Sequence, residues 1–489
     1  MNKKERALFI EKKLNELFPN PKAPLMHKNA FTFLIAVLLS AQTTDKRVNL
    51  VTKELFKVAS NPEAMLALGE EGVYEFIKDS RVVKMSKTYV SENSIALPVR
   101  HWLGKQLAKV SNTPMPKVFS GKGSLKQLGA VASEFKVSKP LLVTDKDLVR
   151  IGLVQRVKDA LDSSGIPYAV YDKVVPNPHH LLVEEGYKIY KSNGCDGIIA
   201  IGGGSPMDCA KVIGAKVLNP KPVEEYVGLF KVGGPLPSGR DKYPPLIAIP
   251  TTAGTGSETT VAAVISFKDK NIKLAVADQA LVPRAAILDP EVTATLPKHI
   301  TAATGMDAMT HAVESYLSQW QNDFTKMYSL RAIERIGKYL LQCYEHGDDL
   351  KAREEMLLAS FEAGVAFTRA NVGYVHAIAH TFGGKFHTPH GVANSMVLPL
   401  VLDFYLAKGG SHVVDRFCEM ATAIGLASNY EYETRDENAK FQLARAFISK
   451  IREMNSKMKI PTSLQSLLKL TKKKFTSTWK KKYPYRQIS

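Results

Sequence analysis

Five residues in the second half of the chain have the types and spacing from which a divalent-metal site could be built. Asp307 and His311 lie four apart in Gly305-Met306-Asp307-Ala308-Met309-Thr310-His311, a spacing that puts a carboxylate and an imidazole on one face of a helix. His376 and His380 repeat it in His376-Ala377-Ile378-Ala379-His380, and His387-Thr388-Pro389-His390-Gly391 adds an imidazole at a loop or helix start. One aspartate and three histidines make a nitrogen and oxygen donor set suited to Fe2+ or Zn2+, with cobalt or nickel chemically possible. Taken singly, each histidine reads more simply as a hydrogen-bonded core or surface residue; the constellation of Asp307, His311, His376, His380 and His390 is what points to an ion.

Two small-residue loops suggest what works beside it. Gly197-Ile198-Ile199-Ala200-Ile201 reads as a buried strand running into Gly202-Gly203-Gly204-Ser205-Pro206-Met207-Asp208. Glycines let the backbone approach a pyrophosphate, and the following helix start offers N–H groups, with Ser205 as cap or phosphate donor. Ile247-Ala248-Ile249-Pro250 leads into Thr251-Thr252-Ala253-Gly254-Thr255-Gly256-Ser257-Glu258, which can wrap a ligand with amides and hydroxyls. Each loop alone is equally an ordinary turn, and either suits a phosphorylated substrate as well as a dinucleotide. Asp145, after the strand Leu141-Leu142-Val143-Thr144, is placed to accept from ribose hydroxyls and repel a 2′-phosphate, favouring NAD over NADP; capping the next helix is its equally ordinary role. An ion beside a dinucleotide implies a division of labour, the metal acting on a substrate oxygen while the nicotinamide moves hydride. His380 is then a candidate for proton relay or substrate orientation, or for supporting the ligands.

Short apolar runs alternating with helical stretches begin at Lys117. Pro140–Thr144 and Tyr168–Tyr171 read as strands, Leu153–Ser164 and Leu181–Asn193 as helices, an α/β order with a largely parallel sheet. After Thr295 the spacing is helical throughout: Ile300–Leu317, Phe324–Cys343, Ala352–Thr368, Ala377–Thr381, Val392–Tyr405 and Asn438–Met458. Before Lys117, helical periodicity covers residues 4–18, Phe31–Leu39, Lys46–Val58 and Gly69–Lys78, with Asn61-Pro62-Glu63 opening a short helix. The expected fold class is multidomain: a small helical N-terminal unit over 1–79, a linker over 80–115, an α/β dinucleotide-binding domain over 116–295, an all-helical metal-binding domain over 296–468, and a basic tail over 469–489.

The formal charge of +19 is unevenly placed: residues 1–120 carry +8, residues 121–468 only +3, and the last 21 residues +8 with no Asp or Glu. Attraction to polyanions would come from the two ends, where a solvated face or tail is the plainer reading. Cys195, Cys209, Cys343 and Cys418 form no C-x-x-C pair, so neither a disulfide scaffold nor a thiolate zinc site is indicated. The apolar stretch Phe31–Ser40 is too short to cross a bilayer, and Met1-Asn2-Lys3-Lys4-Glu5-Arg6 leads into no signal core. A cytoplasmic location and no membrane partner are expected.

Over residues 114–465 the chain resembles the iron-containing, or group III, alcohol dehydrogenases. The likeness is carried by Pro116-Lys117-Val118-Phe119-Ser120-Gly121-Lys122-Gly123-Ser124-Leu125, the Pro176-Asn177-Pro178 turn, both glycine-rich loops, Asp289-Pro290, Thr304–His311 and Gly373–Gly391. It implies Asp307, His311, His376 and His390 as metal ligands, with His380 the nearby non-ligand histidine. Around the cofactor it places Asp145, Asn177, Gly203, Gly204, Ser205, Asp208, Thr251, Thr252 and Thr255. It further implies an alcohol or carbonyl substrate, a cleft site between α/β and helical domains, and a homo-oligomer. His179-His180 departs from the family's pattern after Pro178, and the end of the chain departs more: after Lys459-Ile460-Pro461-Thr462 the family continues into acidic helix sequence.

Residues 1–79 resemble instead the amino-terminal part of endonuclease III, through Phe31–Asp45, Val48-Asn49 and Asn61–Gly69. Gln42 matches the residue that enters damaged duplex there, although a polar helix-terminal residue is the plainer reading. No helix-hairpin-helix glycine motif follows Lys78, the catalytic lysine and later aspartate have no matching positions, and the four-cysteine cluster run is missing. The expected function is a metal-dependent, nicotinamide-dependent alcohol or carbonyl oxidoreductase with no specific nucleic-acid partner. Alternatives are a related glycerol, lactaldehyde or other polyol dehydrogenase, or a catalytically inactive DNA-associating fusion.

Overall fold

The computed structural model describes residues 113–234, 238–267, 272–386, 388–428 and 436–462, together with 45–61 and the positions 28, 29, 32, 36, 64 and 65. The chain divides into two compact units, Met1–Val110 with Pro461–Ser489, and Ser111–Ile460.

In the first unit, α1 (Asp45–Val58) turns Val48, Leu55 and Phe56 inward against Ala36 and Ala59. The Asn61 side chain accepts from Ala64 N at 2.7 Å, the start signal expected at Asn61-Pro62-Glu63. The helices predicted over 4–18 and 69–78, most of 31–39, the connection up to residue 112 and the tail 469–489 lie outside the described residues.

The second unit opens with a six-stranded parallel sheet in the order β1-β9-β6-β4-β2-β3. Its strands are β1 (Lys117–Ser120), β2 (Pro140–Asp145), β3 (Ala169–Val174), β4 (Gly197–Gly202), β6 (Leu246–Pro250) and β9 (Ala285–Leu288). Side chains alternate between two cores, as a period of two requires. Leu141, Val143, Ile198, Ala200 and Ala248 face one; Leu142, Ile199, Ile201, Ile247 and Ile249 face the other. Helices α5 (His180–Ser192) and α6 (Gly204–Leu218) cover the first face, and α2 (Leu128–Glu134) and α4 (Leu153–Asp162) the second, with the short α3 (Lys146–Arg150) before α4. Each fully buried aliphatic contributes roughly 1.5–3 kcal/mol, so an aspartate at Ile199 would disrupt the sheet. From β2 the chain moves outward to β3 and then back across to β4, which makes the β2/β4 crevice the switch point where such sheets bind ligands.

A second sheet, β5 (Gly228–Leu229), β8 (Ile272–Ala277) and β7 (Ala262–Phe267), has β7 and β8 antiparallel. The short α7 (Ser238–Lys242) lies between β5 and β6. This hairpin escaped the sequence reading because its outer face is open and its apolar alternation weak.

Beyond residue 295 every described element is helical: α8 (Lys298–Leu317), α9 (Asp323–Glu345), α10 (Leu350–Ala370), α11 (Tyr374–Phe386), α12 (His390–Lys408), α13 (Ser411–Ala423) and α14 (Glu437–Lys457). Helix α8 is buried along most of its length and packs on α9, α10 and α12. Side-chain caps set several starts: Asn322 and Thr325 form a reciprocal box before α9, and Asp349 and Asp436 accept from Ala352 and Ala439.

Candidate active site

The carboxyl ends of β2, β4 and β6 bring the predicted nucleotide loops together. Gly202 has φ +149°, and a methyl group there would meet Pro206 Cγ at 2.5 Å, so the bend into α6 requires glycine. Thr251 N donates to Gly202 O at 3.0 Å. Cβ atoms on Gly203 and Gly204 would lie 3.3 Å from Thr252 Oγ1 and 3.1 Å from Thr255 Cγ2, so the threonine loop packs directly on the glycine loop. No side chain caps α6, so the start of this 15-residue helix, Ser205 included, has the amide geometry and the positive dipole end that suit an anion.

Asp208 serves this arrangement from behind. Its Oδ1 accepts from Ser257 Oγ at 2.9 Å and its Oδ2 from Val264 N at 3.0 Å, tying α6 to the threonine loop and β7. Lys211 is fully buried beside it and donates to Thr260 O at 2.9 Å, Thr260 Oγ1 at 2.7 Å and Ala262 O at 2.9 Å. Burial pulls its ammonium down to about 8, against the attraction of Asp208 and Glu258. Asp145 caps α3, accepting from Leu148 N at 2.9 Å. Asn177 sits at φ +57° between its prolines, and its Oδ1 accepts from Lys273 Nζ at 2.7 Å. His179 and His180 open α5, the latter stacking on Phe267 at 5.2 Å.

Across the cleft, Asp307 and His311 come from α8, His376 from α11 and His390 from the first position of α12. One ligand atom from each lies within 4.8 Å of all the others; the first three residues are buried and His390 is exposed. The His311 ring stacks on Phe367 at 4.2 Å and on His376 at 4.7 Å. His380 stands at the open rim, its ring 5.0 Å from that of His390 and 6.0 Å from that of His376. Burial alone would raise the Asp307 carboxyl, but His311, His390, His376 and a hydrogen bond from Asn394 bring it below its usual value. Burial pushes His311 down to about 3, while the loss of water around the ring cluster, with repulsion from the neighbouring imidazoles and Lys273, lowers His380 to about 4 and His390 as well.

Three residues in this network have no counterpart in the sequence reading. Glu314 Oε2 meets His376 Nδ1 at 2.5 Å, and Asn394 Nδ2 donates to Asp307 Oδ1 at 2.6 Å. Both follow a legible helical signal, Glu314 three residues after His311 and Asn394 four after His390. Lys273, whose charge helps keep His380 and His390 deprotonated, is one lysine in a weakly patterned strand and carries no such signal. His311 Nδ1 faces the Gly254 carbonyl at 3.2 Å, so the threonine loop itself orients one imidazole. Two buried carboxylates, Asp307 and Glu314, thus stand among three imidazoles, of which His311 and His390 are held away from the protonated form. That donor set fits a divalent cation.

Comparison with known proteins agrees with this geometry. The family model for iron-containing alcohol dehydrogenases matches residues 115–290, and the model for the C-terminal part of that family matches 301–476. The chain belongs to the iron-containing alcohol dehydrogenase family. Among family members, the NAD-dependent methanol dehydrogenase of Bacillus methanolicus is 36% identical over 310 residues, 63% of this chain and 78% of that protein. The lactaldehyde reductase of Escherichia coli K12 is 39% identical over 287 residues, 58% and 72% of the two chains. The crystal structure of a 1,3-propanediol oxidoreductase superposes with a TM-score of 0.67 at 35% identity, covering 73% of this chain and 89% of that one. This iron-containing alcohol dehydrogenase is accordingly a metal-dependent, NAD(P)-dependent oxidoreductase acting on an alcohol and carbonyl pair. A third model, the HhH-GPD superfamily of base excision DNA repair proteins, matches residues 35–158. The chain therefore also carries an endonuclease III-like segment, although the part of that match from residue 117 onward falls on β1 to α4 of the parallel sheet.

Proposed function

We propose that Asp307, His311, His376 and His390 hold one Fe2+ ion and that His380 faces the substrate, in an enzyme that interconverts a small primary alcohol or diol and its aldehyde using NAD. The observation that carries this is the convergence of those four ligand atoms beside the paired glycine and threonine loops. When bound, the ion supplies Lewis acidity toward the substrate oxygen and the nicotinamide supplies or accepts the hydride. Gly203, Gly204 and Ser205 receive the pyrophosphate at the start of α6, and Thr251, Thr252 and Thr255 close over it. Asp145 and Asn177 border the ribose and nicotinamide side, while Asp208 holds the two loops in register. His380, neutral at physiological pH, orients the substrate hydroxyl and passes its proton toward solvent at the open rim.

The likeness to a methanol dehydrogenase and a lactaldehyde reductase favours short, polar substrates. Metal-reconstituted protein assayed with NAD against methanol, propanol, 1,3-propanediol, glycerol and lactaldehyde tests the reading. Equal turnover after verified metal removal would refute it, as would turnover of none of these compounds. A homo-oligomer belongs to the same proposal, and light scattering that returns the mass of one chain argues against it. A reducing cytoplasmic location belongs to the proposal as well, and suits the four buried free cysteines. Among the described residues α12 alone is long and apolar enough to cross a membrane, and it is the helix that carries His390 and Asn394.

The endonuclease III-like segment supports a second reading, DNA association without base excision, since the chain passes into the parallel sheet where the remainder of a glycosylase site would be built. Full-length protein incubated with duplex DNA containing an oxidised pyrimidine should leave the base in place. Strand cleavage above an abasic-site control, lost on mutation of Gln42, would make the chain bifunctional.

A further inference from the structure

Glu314 lies on α8 seven residues after Asp307 and three after His311, which turns it to their side of the helix. It is buried, and each carboxylate oxygen is committed to a different donor on α11. Oε1 accepts from Val375 N at 2.6 Å and Oε2 from His376 Nδ1 at 2.5 Å. The first contact caps α11, satisfying an amide of its first turn and placing negative charge at its positive end. Gly373 makes room for it, because a Cβ there would lie 2.9 Å from Glu314 Oε1. On the far side of the same imidazole, His376 Nε2 faces Asn394 Nδ2 at 3.1 Å. A carboxylate oxygen only accepts, so Nδ1 is the donor to Glu314 Oε2 and the ring keeps its lone pair on Nε2.

We propose that Glu314 is a positioning residue of the metal centre, holding His376 as the Nδ1–H tautomer so that its Nε2 lone pair faces Asp307 and His390. This rests on the metal-centre reading above. It separates the carboxylate's effect on the ring from its effect on the helix, because the isosteric amide retains one and inverts the other. In Glu314→Gln the amide oxygen still accepts from Val375 N–H, so the NH2 group must face His376 Nδ1. It then donates to Nδ1 and drives the ring proton to Nε2, the wrong tautomer for a ligand. In Glu314→Ala the cap is lost and a cavity is left, but the ring is free to take either tautomer.

The two variants should therefore rank in opposite orders in two measurements on the full-length chain. In thermal unfolding of the metal-free protein, Glu314→Gln should stay near wild type while Glu314→Ala melts earlier. In Zn2+ titration against a chromophoric chelator, Glu314→Gln should lose about 10–100-fold in affinity, and Glu314→Ala less. The ligand-field spectrum of Co2+-loaded Glu314→Gln should also shift, through loss or displacement of one imidazole donor. Wild-type Zn2+ affinity in Glu314→Gln overturns the proposal, as does an affinity loss that follows the order of stability loss, which is what a merely structural residue would show. Failure of the wild-type chain to bind one ion would instead refute the metal centre itself, and this inference with it.

Discussion

Replacing Gly391 with alanine should damage the metal site without touching a ligand. Gly391 follows His390 at the start of α12, and a Cβ there would lie 2.2 Å from the carbonyl oxygen of Ala303 and 2.7 Å from its carbonyl carbon on α8. Ordinary contact between such atoms is near 3.5 Å, so the two helices must part by roughly 1 Å. The obstacle is backbone and cannot rotate away, and Gly391 is not among the glycines with positive φ, so the effect is steric alone. Overpacking of this kind costs about 1–3 kcal/mol. A displacement of about 1 Å between His390 and the α8 ligands is of the size that lowers turnover on the order of 100-fold. Melting temperature, Zn2+ affinity by chelator competition and turnover at saturating metal together check this. Wild-type affinity and turnover would show that the contact between Ala303 and Gly391 does not set the spacing of the ligands.

His376→Ala should lose bound metal and turnover together, whereas His380→Ala should lose turnover with the metal retained; equal metal loss by elemental analysis would mean that His380 has been assigned wrongly. Asp145→Ser keeps an oxygen able to cap α3 but removes the charge, and should raise the efficiency with NADP relative to NAD; an unchanged ratio counts against Asp145 as the selector. In the metal-free chain the imidazoles of His311 and His380 are held neutral, from an ordinary value of 6.5 down to about 3 and about 4. The unfolded chain takes up those protons first, so stability is full above about pH 6.5 and falls as the pH drops toward 4; a urea midpoint that is flat or rises across that window contradicts this.

The candidate ligands were legible before the fold because metal and nucleotide chemistry is written in local spacing. Asp307 with His311 is a helical repeat, and glycines and threonines after apolar runs mark loops whatever those runs pair with. The parallel sheet was legible for the same reason, since Leu141–Val143, Ile198–Ile201 and Ile247–Ile249 are apolar without alternation, the pattern of strands buried on both faces. The order β1-β9-β6-β4-β2-β3 was not, because strand neighbours are chosen by long-range packing. Nor was the second sheet, whose strands are half exposed. What only the tertiary structure decided is how side chains far apart in the sequence are oriented toward one another. Gly254 offers its carbonyl to His311, Glu314 splits its oxygens between an amide and an imidazole of α11, and Asn394 reaches Asp307 from another helix. Hydrogen bonds of this kind depend on ångström distances set by helix packing, and residue type and spacing along the chain contain no such distances.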